Sequence, residues 1–168
     1  MESEFLTPLD WEKDYLWEDQ PVLTCRCSLP QFPGKSRAER RLERHYRHME
    51  QVLRRWLESC HARCCVLAEE ALAASKPLPA YAVQIGYRVV FQDERYLSIL
   101  WQVRALGNCR QFPDLWDIQT GTPLNCRRLL PRKAVRKLHG RDCLLTQEGI
   151  AALDEEGQEL IWARETAE

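Results

Sequence analysis

The chain reads as an α+β domain, an antiparallel sheet with one long helix laid across a face. Three observations carry that reading. Residues 36–75 contain neither Gly nor Pro and place apolar side chains at steps of three and four. Residues 81–105 alternate apolar and polar with the period of two expected of strands. Short apolar runs parted by turn residues then close the chain. The predicted order is strand, long helix, hairpin or meander, short helix and C-terminal strands.

The first 20 residues carry seven acids against Lys13, yet Trp11, Tyr15, Leu16 and Trp17 are too apolar for a solvated tail. The sequence therefore predicts an acidic N-terminal segment, residues 1–20, that docks in part on a single domain over 21–164. Val22–Leu29 sends Leu23, Cys25, Cys27 and Leu29 to one side and Thr24, Arg26 and Ser28 to the other, a half-buried strand. Pro30, Pro33 and Gly34 end it.

In the helix, Leu42, Tyr46, Met49, Leu53, Trp56, Cys60, Cys64, Leu67 and Ala71 form the apolar stripe, widened by Val52, Leu57 and Leu72. Ser36 and Glu39 have the spacing of a capping box. A helix of roughly 57 Å outruns a small domain, so fraying or a kink is expected near Ala73.

Lys76-Pro77-Leu78-Pro79 breaks the helix. Tyr81, Val83, Ile85, Tyr87, Val89 and Phe91 share one strand face, and Leu97–Ala105 repeats the pattern after the polar turn Gln92–Arg95. A loop is expected over 106–113, then a short strand over Leu115–Ile118 closing on Thr120-Gly121-Thr122-Pro123. Pro131 and Gly140 bracket a short helix. Strands at 144–145, 150–153 and 159–162 follow, with turns at Glu148-Gly149 and 154–157.

A chain of 168 residues, 45% hydrophobic, suits one core. The N-terminus lacks a basic, then apolar, leader, and no run reaches the ~18 apolar residues of a membrane span. A soluble, cytoplasmic protein is expected, without membrane insertion, its eight cysteines being thiols in a reducing compartment.

The seven glycines are scattered and form no phosphate-cradling or nucleophile-elbow pattern. His45, His48, His61 and His139 all fall in predicted helices, away from any serine in a nucleophile context. The expectation is a non-enzymatic domain with no cofactor.

Three stretches carry candidate chemistry. Cys60 and Cys64, one helical turn apart, complete a tetrahedral thiolate set if Cys25 and Cys27 lie alongside; read as packing, they are small hydrophobes, and that reading, with no metal, is preferred. Residues 118–141 hold seven bases and no acid, and Arg127, Arg128, Arg132, Lys133, Arg136 and Lys137 form either a solvated helix face or a contact for a polyanion such as nucleic acid. Phe112 lies in the loop over 106–113 and Trp116 follows it; exposed there, such aromatics anchor protein partners, or else they close the core. A protein partner held at that loop is the leading expectation, and a polyanion the alternative.

Taken in order, VLTCRCSLPQFP (22–33), the hairpin over 81–105 and LWDIQTGTPLNCRRLLP (115–131) resemble the domain of unknown function shared by RsiV-type anti-sigma factors and PdaC-type peptidoglycan deacetylases. Asp117, Thr120, Gly121 and Leu124 stand where that family has a D-x-x-T-G-x-x-L turn. The resemblance spans about residues 21–162 and implies an α+β fold. Members are typically exported or membrane-anchored, and in RsiV the domain implies lysozyme recognition. The family's Gly-Gly-Ala-His loop is replaced here by residues 105–112, so the resemblance transfers the fold and no functional residue.

Overall fold

The computed structural model describes residues 5–154 and 157–163. Residues 1–4 of the acidic segment, the central pair of the 154–157 turn, and residue 164 lie outside the described residues. The architecture is α+β. A six-stranded sheet of order β1-β2-β3-β4-β5-β6 and a three-stranded sheet of order β7-β8-β9 accompany one long helix. The chain divides into two compact units, one of residues 1–33, 43–86 and 102–110, the other of 34–42, 87–101 and 111–168.

In the first unit, most of the acidic N-terminal stretch is a strand, β1 (Thr7–Trp17), paired antiparallel with β2 (Gln20–Gln31). Glu18 and Asp19 join them at positive φ, 45° and 64°, in the left-handed turn that suits a tight hairpin. The acids that made this stretch look solvated alternate onto one face. There Glu12 meets Arg26 across the ladder at 3.1 Å, and Asp14 accepts from the Thr24 hydroxyl at 2.7 Å. The other face turns Trp11 and Tyr15 toward the helix α1 (Arg37–Ala73). Arg54 stacks over the Trp11 ring at 4.3 Å, Tyr46 stacks on Phe32 at 5.6 Å, and His61 donates from Nε2 to the Leu16 carbonyl at 2.8 Å.

On α1, Leu42, Tyr46, Leu57, Cys64 and Ala68 are buried, spaced by four, seven and eleven as the stripe requires. Val52, Trp56 and Leu72 were expected on that stripe and are exposed instead. The 3.6-residue repeat carries them past the edge of the buried arc, whose width is set by the strands beneath. Ser36 Oγ accepts from the Glu39 amide at 3.0 Å as the capping box predicts, but the Glu39 carboxylate reaches one residue further back, to the Lys35 amide at 2.7 Å. The helix is 37 residues, about 55 Å at 1.5 Å per residue, and stops at Ala73, with Ser75 at φ 53°.

From β2 the chain crosses over through α1 and returns in parallel, β3 (Tyr81–Gln92) pairing Tyr81 with Leu23 and Ile85 with Cys27. The sheet is therefore mixed where an antiparallel one was expected. Alternation reports that a strand is half-buried but not which neighbour it pairs with, whereas a long helical crossover permits a parallel return. β4 (Tyr96–Ala105) follows a turn in which Asp93 Oδ1 accepts from the amides of Arg95 and Tyr96 at 2.8 and 2.7 Å. The loop expected over 106–113 is mostly strand. A two-residue turn, Leu106-Gly107 at φ 50° and 82°, leads directly into β5 (Asn108–Asp117), and β6 (Thr122–Pro123) pairs back on its end.

The second unit is closed by a 3-10 turn at Cys126–Leu129, a short helix α2 (Arg132–Val135), a further 3-10 turn at Arg136–Leu138, and the strands β7 (Cys143–Leu145), β8 (Gly149–Leu153) and β9 (Gln158–Ala163). Its core gathers Phe91, Leu115, Leu130, Leu138, Leu145 and Ile150. Leu100 on β4 packs separately with Leu144 and Leu153. Because Leu97 to Trp101 are buried without a break, this part of β4 is covered on both faces.

Candidate functional site

In the first unit, an open groove of about 490 Å³ runs between the outer flank of α1 and the ends of two strands. Trp56, Cys60, Cys64 and Leu67 form the helical wall, Tyr81 begins β3, and Leu106 sits on the turn after β4. Trp56 is 38% exposed and Leu106 45%, so two large apolar side chains face solvent from opposite walls. Leu106 projects because its own backbone adopts the left-handed turn. Arg63 lies on the rim, without a hydrogen bond or ion pair to any described residue.

Cys60 and Cys64 are thus groove-lining as well as stripe residues. Burial pushes both thiols above the ordinary cysteine range, with Arg63 opposing and, at Cys64, neighbouring thiols adding. Cys25 and Cys27 lie on β2, their pKa values pushed up to about 11 and about 12, chiefly by burial. Among the described residues no group of three or more His, Cys, Asp or Glu is placed to hold a metal ion, so the four thiols do not form a common ligand set.

The aromatic pair read from the sequence separates. Trp116 is 2% exposed and belongs to the interior of the second unit. Phe112 is 41% exposed and stacks on Trp101 at 6.3 Å between centroids. Position along β5 accounts for this: the strand is exposed from Asn108 to Phe112 and buried from Leu115 to Asp117.

The basic run separates as well. Arg127 is spent internally, donating to the carbonyls of Gly140 and Arg141 at 3.0 and 2.8 Å. Arg141 bridges Asp154 at 3.2 Å and Glu159 at 2.7 Å. Arg128, Arg132, Lys133, Arg136 and Lys137 are exposed, and their side chains make no hydrogen bond or ion pair with a described residue. Asn125 starts this surface by accepting from the Arg127 amide at 3.0 Å, while Ala134 and Leu138 bury its other side.

The D-x-x-T-G-x-x-L stretch proves to be a structural joint. Asp117 Oδ1 accepts from the amides of Gln119 and Thr120 at 3.1 and 3.0 Å, and its Oδ2 accepts from Arg95 Nε at 3.3 Å. Burial works against the charged carboxylate, but bonds from Thr120, Arg95 and Gln119 outweigh it and hold the carboxyl below its ordinary range. Arg41 of α1 donates to the Thr120 carbonyl at 2.9 Å, and Gly121 lies against the backbone of Ala38. Leu124 returns the chain by donating its amide to Leu115 at 2.7 Å.

A further open trough, of about 590 Å³, lies on the polar face of β1–β4 and is lined by Asp10, Glu12, Arg26, Gln84, Gln102 and Arg104. Among the described residues no helix is long and apolar enough to cross a membrane.

No protein-family model matches the chain, and no curated protein does. Among solved structures, it is similar to a member of the DUF3298 family from Bacteroides fragilis NCTC 9343, with a TM-score of 0.58 and 11% identity over 88% of this chain and 81% of that one. A DUF3298 family protein from Pseudomonas aeruginosa PAO1 aligns over 80% of this chain with 14% identity and a TM-score of 0.49; the chain spans 62% of that protein's length. At 11% identity, the likeness to the Bacteroides protein is one of fold, and the fold it shares is that of a domain of unknown function.

Proposed function

We propose that this protein is a non-enzymatic interaction domain whose groove beside α1 takes an apolar segment of a protein partner. The observation that supports this reading is the pairing of half-exposed Trp56 with Leu106 across an open, mainly apolar cleft. Burying such side chains gains on the order of 25 cal/mol per Å², and Trp is among the residues that most often dominate interfaces. Arg63 on the rim favours an acidic flank on the partner. The resemblance to the RsiV and PdaC domain belongs with this reading, because in RsiV the domain implies recognition of another protein. The site differs from the one the sequence suggested: Leu106, at the start of the expected 106–113 loop, takes the place of Phe112 and Trp116.

The test places a photoreactive residue at position 63 on the groove rim and, as control, at exposed position 69. Crosslinking in the source cell is expected to give one species from position 63, weak labelling from 69, and loss of the species in Leu106→Asp. Asp tolerates the left-handed backbone at 106, so that variant keeps the turn. Equal labelling from both positions, or labelling indifferent to Leu106→Asp, overturns the reading.

The five exposed bases between Arg128 and Lys137, which have no ion pair among the described residues, support a second reading, a polyanion contact. Retention on heparin or nucleic acid should then fall steeply with salt and be lost in an Arg132→Gln, Lys133→Gln, Arg136→Gln variant. Retention that ignores salt removes it.

A further inference from the structure

We propose that Cys126 and Cys143 form a redox-active dithiol, converted by a hydroperoxide to an intramolecular disulfide. The two are far apart in sequence but adjacent in the second unit. Cys126 begins the 3-10 turn that the Asn125 side chain caps, and Cys143 opens β7, paired there with Ala152. The turn that Cys126 begins packs against β7, and the two cysteines belong to one buried cluster. Both line one open cavity of about 590 Å³, together with Asn125, Arg127 and Asp142, so a small oxidant has a route to sulfurs that are otherwise well packed. Arg127 lines the same cavity, its guanidinium anchored on the carbonyls of Gly140 and Arg141, the latter two residues before Cys143. A fixed cation beside one thiol of a close pair is the environment in which a thiolate forms and reacts.

The proton inventory agrees with that geometry. The hydrogen bond from Cys126, with Arg127 assisting, lowers the Cys143 pKa against the effect of burial. The same bond, with burial, raises that of Cys126. Because the anchored Arg127 guanidinium sits at the carbonyl two residues before Cys143, Cys143 takes the role of the attacking thiolate and Cys126 that of the resolving thiol. Cys25 and Cys27 are pushed up by burial to about 11 and about 12.

In the first step the Cys143 thiolate attacks one peroxide oxygen. An S–O bond forms, the O–O bond breaks, and the departing alkoxide takes a proton to leave as an alcohol. Cys143 is then a sulfenic acid. In the second step the Cys126 sulfur attacks the Cys143 sulfur, an S–S bond forms, the S–O bond breaks, and hydroxide leaves as water with the proton of Cys126. Two thiols lose two electrons, and the hydroperoxide is reduced to alcohol and water.

The test treats the full chain with hydrogen peroxide and maps its cysteines by mass spectrometry. Loss of two of the eight thiols is expected, with one new peptide linking Cys126 to Cys143 and full reversal by dithiothreitol. In Cys126→Ser, dimedone should trap a sulfenic acid at Cys143. Arg127→Lys should slow oxidation by about tenfold, the effect of roughly one pKa unit on the thiolate fraction. A disulfide formed preferentially between other cysteines, or Cys143 reacting no faster than Cys25, overturns the proposal. The wild-type peptide map decides it even where a variant does not fold.

Discussion

Gly121→Ala is the substitution with the sharpest structural consequence. A Cβ at this position sits 2.5 Å from the Ala38 carbonyl oxygen and 2.8 Å from its Cα, both backbone atoms in the first turn of α1. Gly121 also has φ +67°, which costs an L-residue about 1–2 kcal/mol. Neither contacting atom can swing aside as a side-chain end would, so the helix start or the turn must move, at a further cost of about 1–3 kcal/mol for an overpacked site. The joint also carries the Arg41 bond to Thr120 and the Gly121 amide bond to the Asp117 carbonyl at 2.8 Å, so a shift loosens both. The expected total is about 2–5 kcal/mol, a large fraction of the ~5–15 kcal/mol that holds a typical domain folded. Gly140→Ala is the matched control. It has φ +81° but no atom within 4 Å of the added Cβ, so it should cost only the backbone term, about 1–2 kcal/mol. Urea unfolding followed by tryptophan fluorescence measures both. With a slope near ~2 kcal/mol/M, the Gly121→Ala midpoint should fall by roughly 1–2.5 M at unchanged slope. Equal midpoints for the two variants would refute the argument, because they would show that the approach of Gly121 to α1 is not tight in solution.

Two further predictions concern pH. The Asp117 pKa is depressed in the fold, so its contribution is present above its unfolded value near ~4 and is lost as pH falls through the lower folded value. Asp117→Asn should therefore be less stable than wild type by about 1.5–3 kcal/mol at neutral pH, with the gap closing in acid; a gap constant to pH 3 contradicts the charge assignment. The Cys25 pKa is raised from 9.0 to about 11, so its contribution is full below 9 and disappears as pH rises toward 11. At pH 10 wild type should lose about 1.4 kcal/mol through this thiol, and Cys25→Ala should show a pH 7 to 10 loss smaller by that amount. Identical alkaline losses in the two proteins would count against its burial.

What the sequence determined by itself is what short-range periodicity and local hydrogen bonding encode. The Ser36 cap, the buried face of β2, the β3–β4 turn at Asp93 and the turn over Thr120–Pro123 each depend on residues within a few positions of one another, and all were legible. Charge misled at β1, because acids read as a run are solvated, whereas acids at every second residue are the outer face of a strand whose partners, Arg26 and Thr24, lie in the next strand. Only the tertiary structure decided which strand lies beside which, so the parallel β2–β3 pairing was invisible until α1 had crossed over. The same holds for every candidate site. Trp56 is exposed because the strands under α1 define where its buried arc ends. Cys126 and Cys143, unremarkable in sequence, meet because α2 and its flanking turns bring the chain back between them. Periodicity reports a residue's face relative to its own element; its neighbours across the gap are set by long-range packing, which a local pattern does not encode.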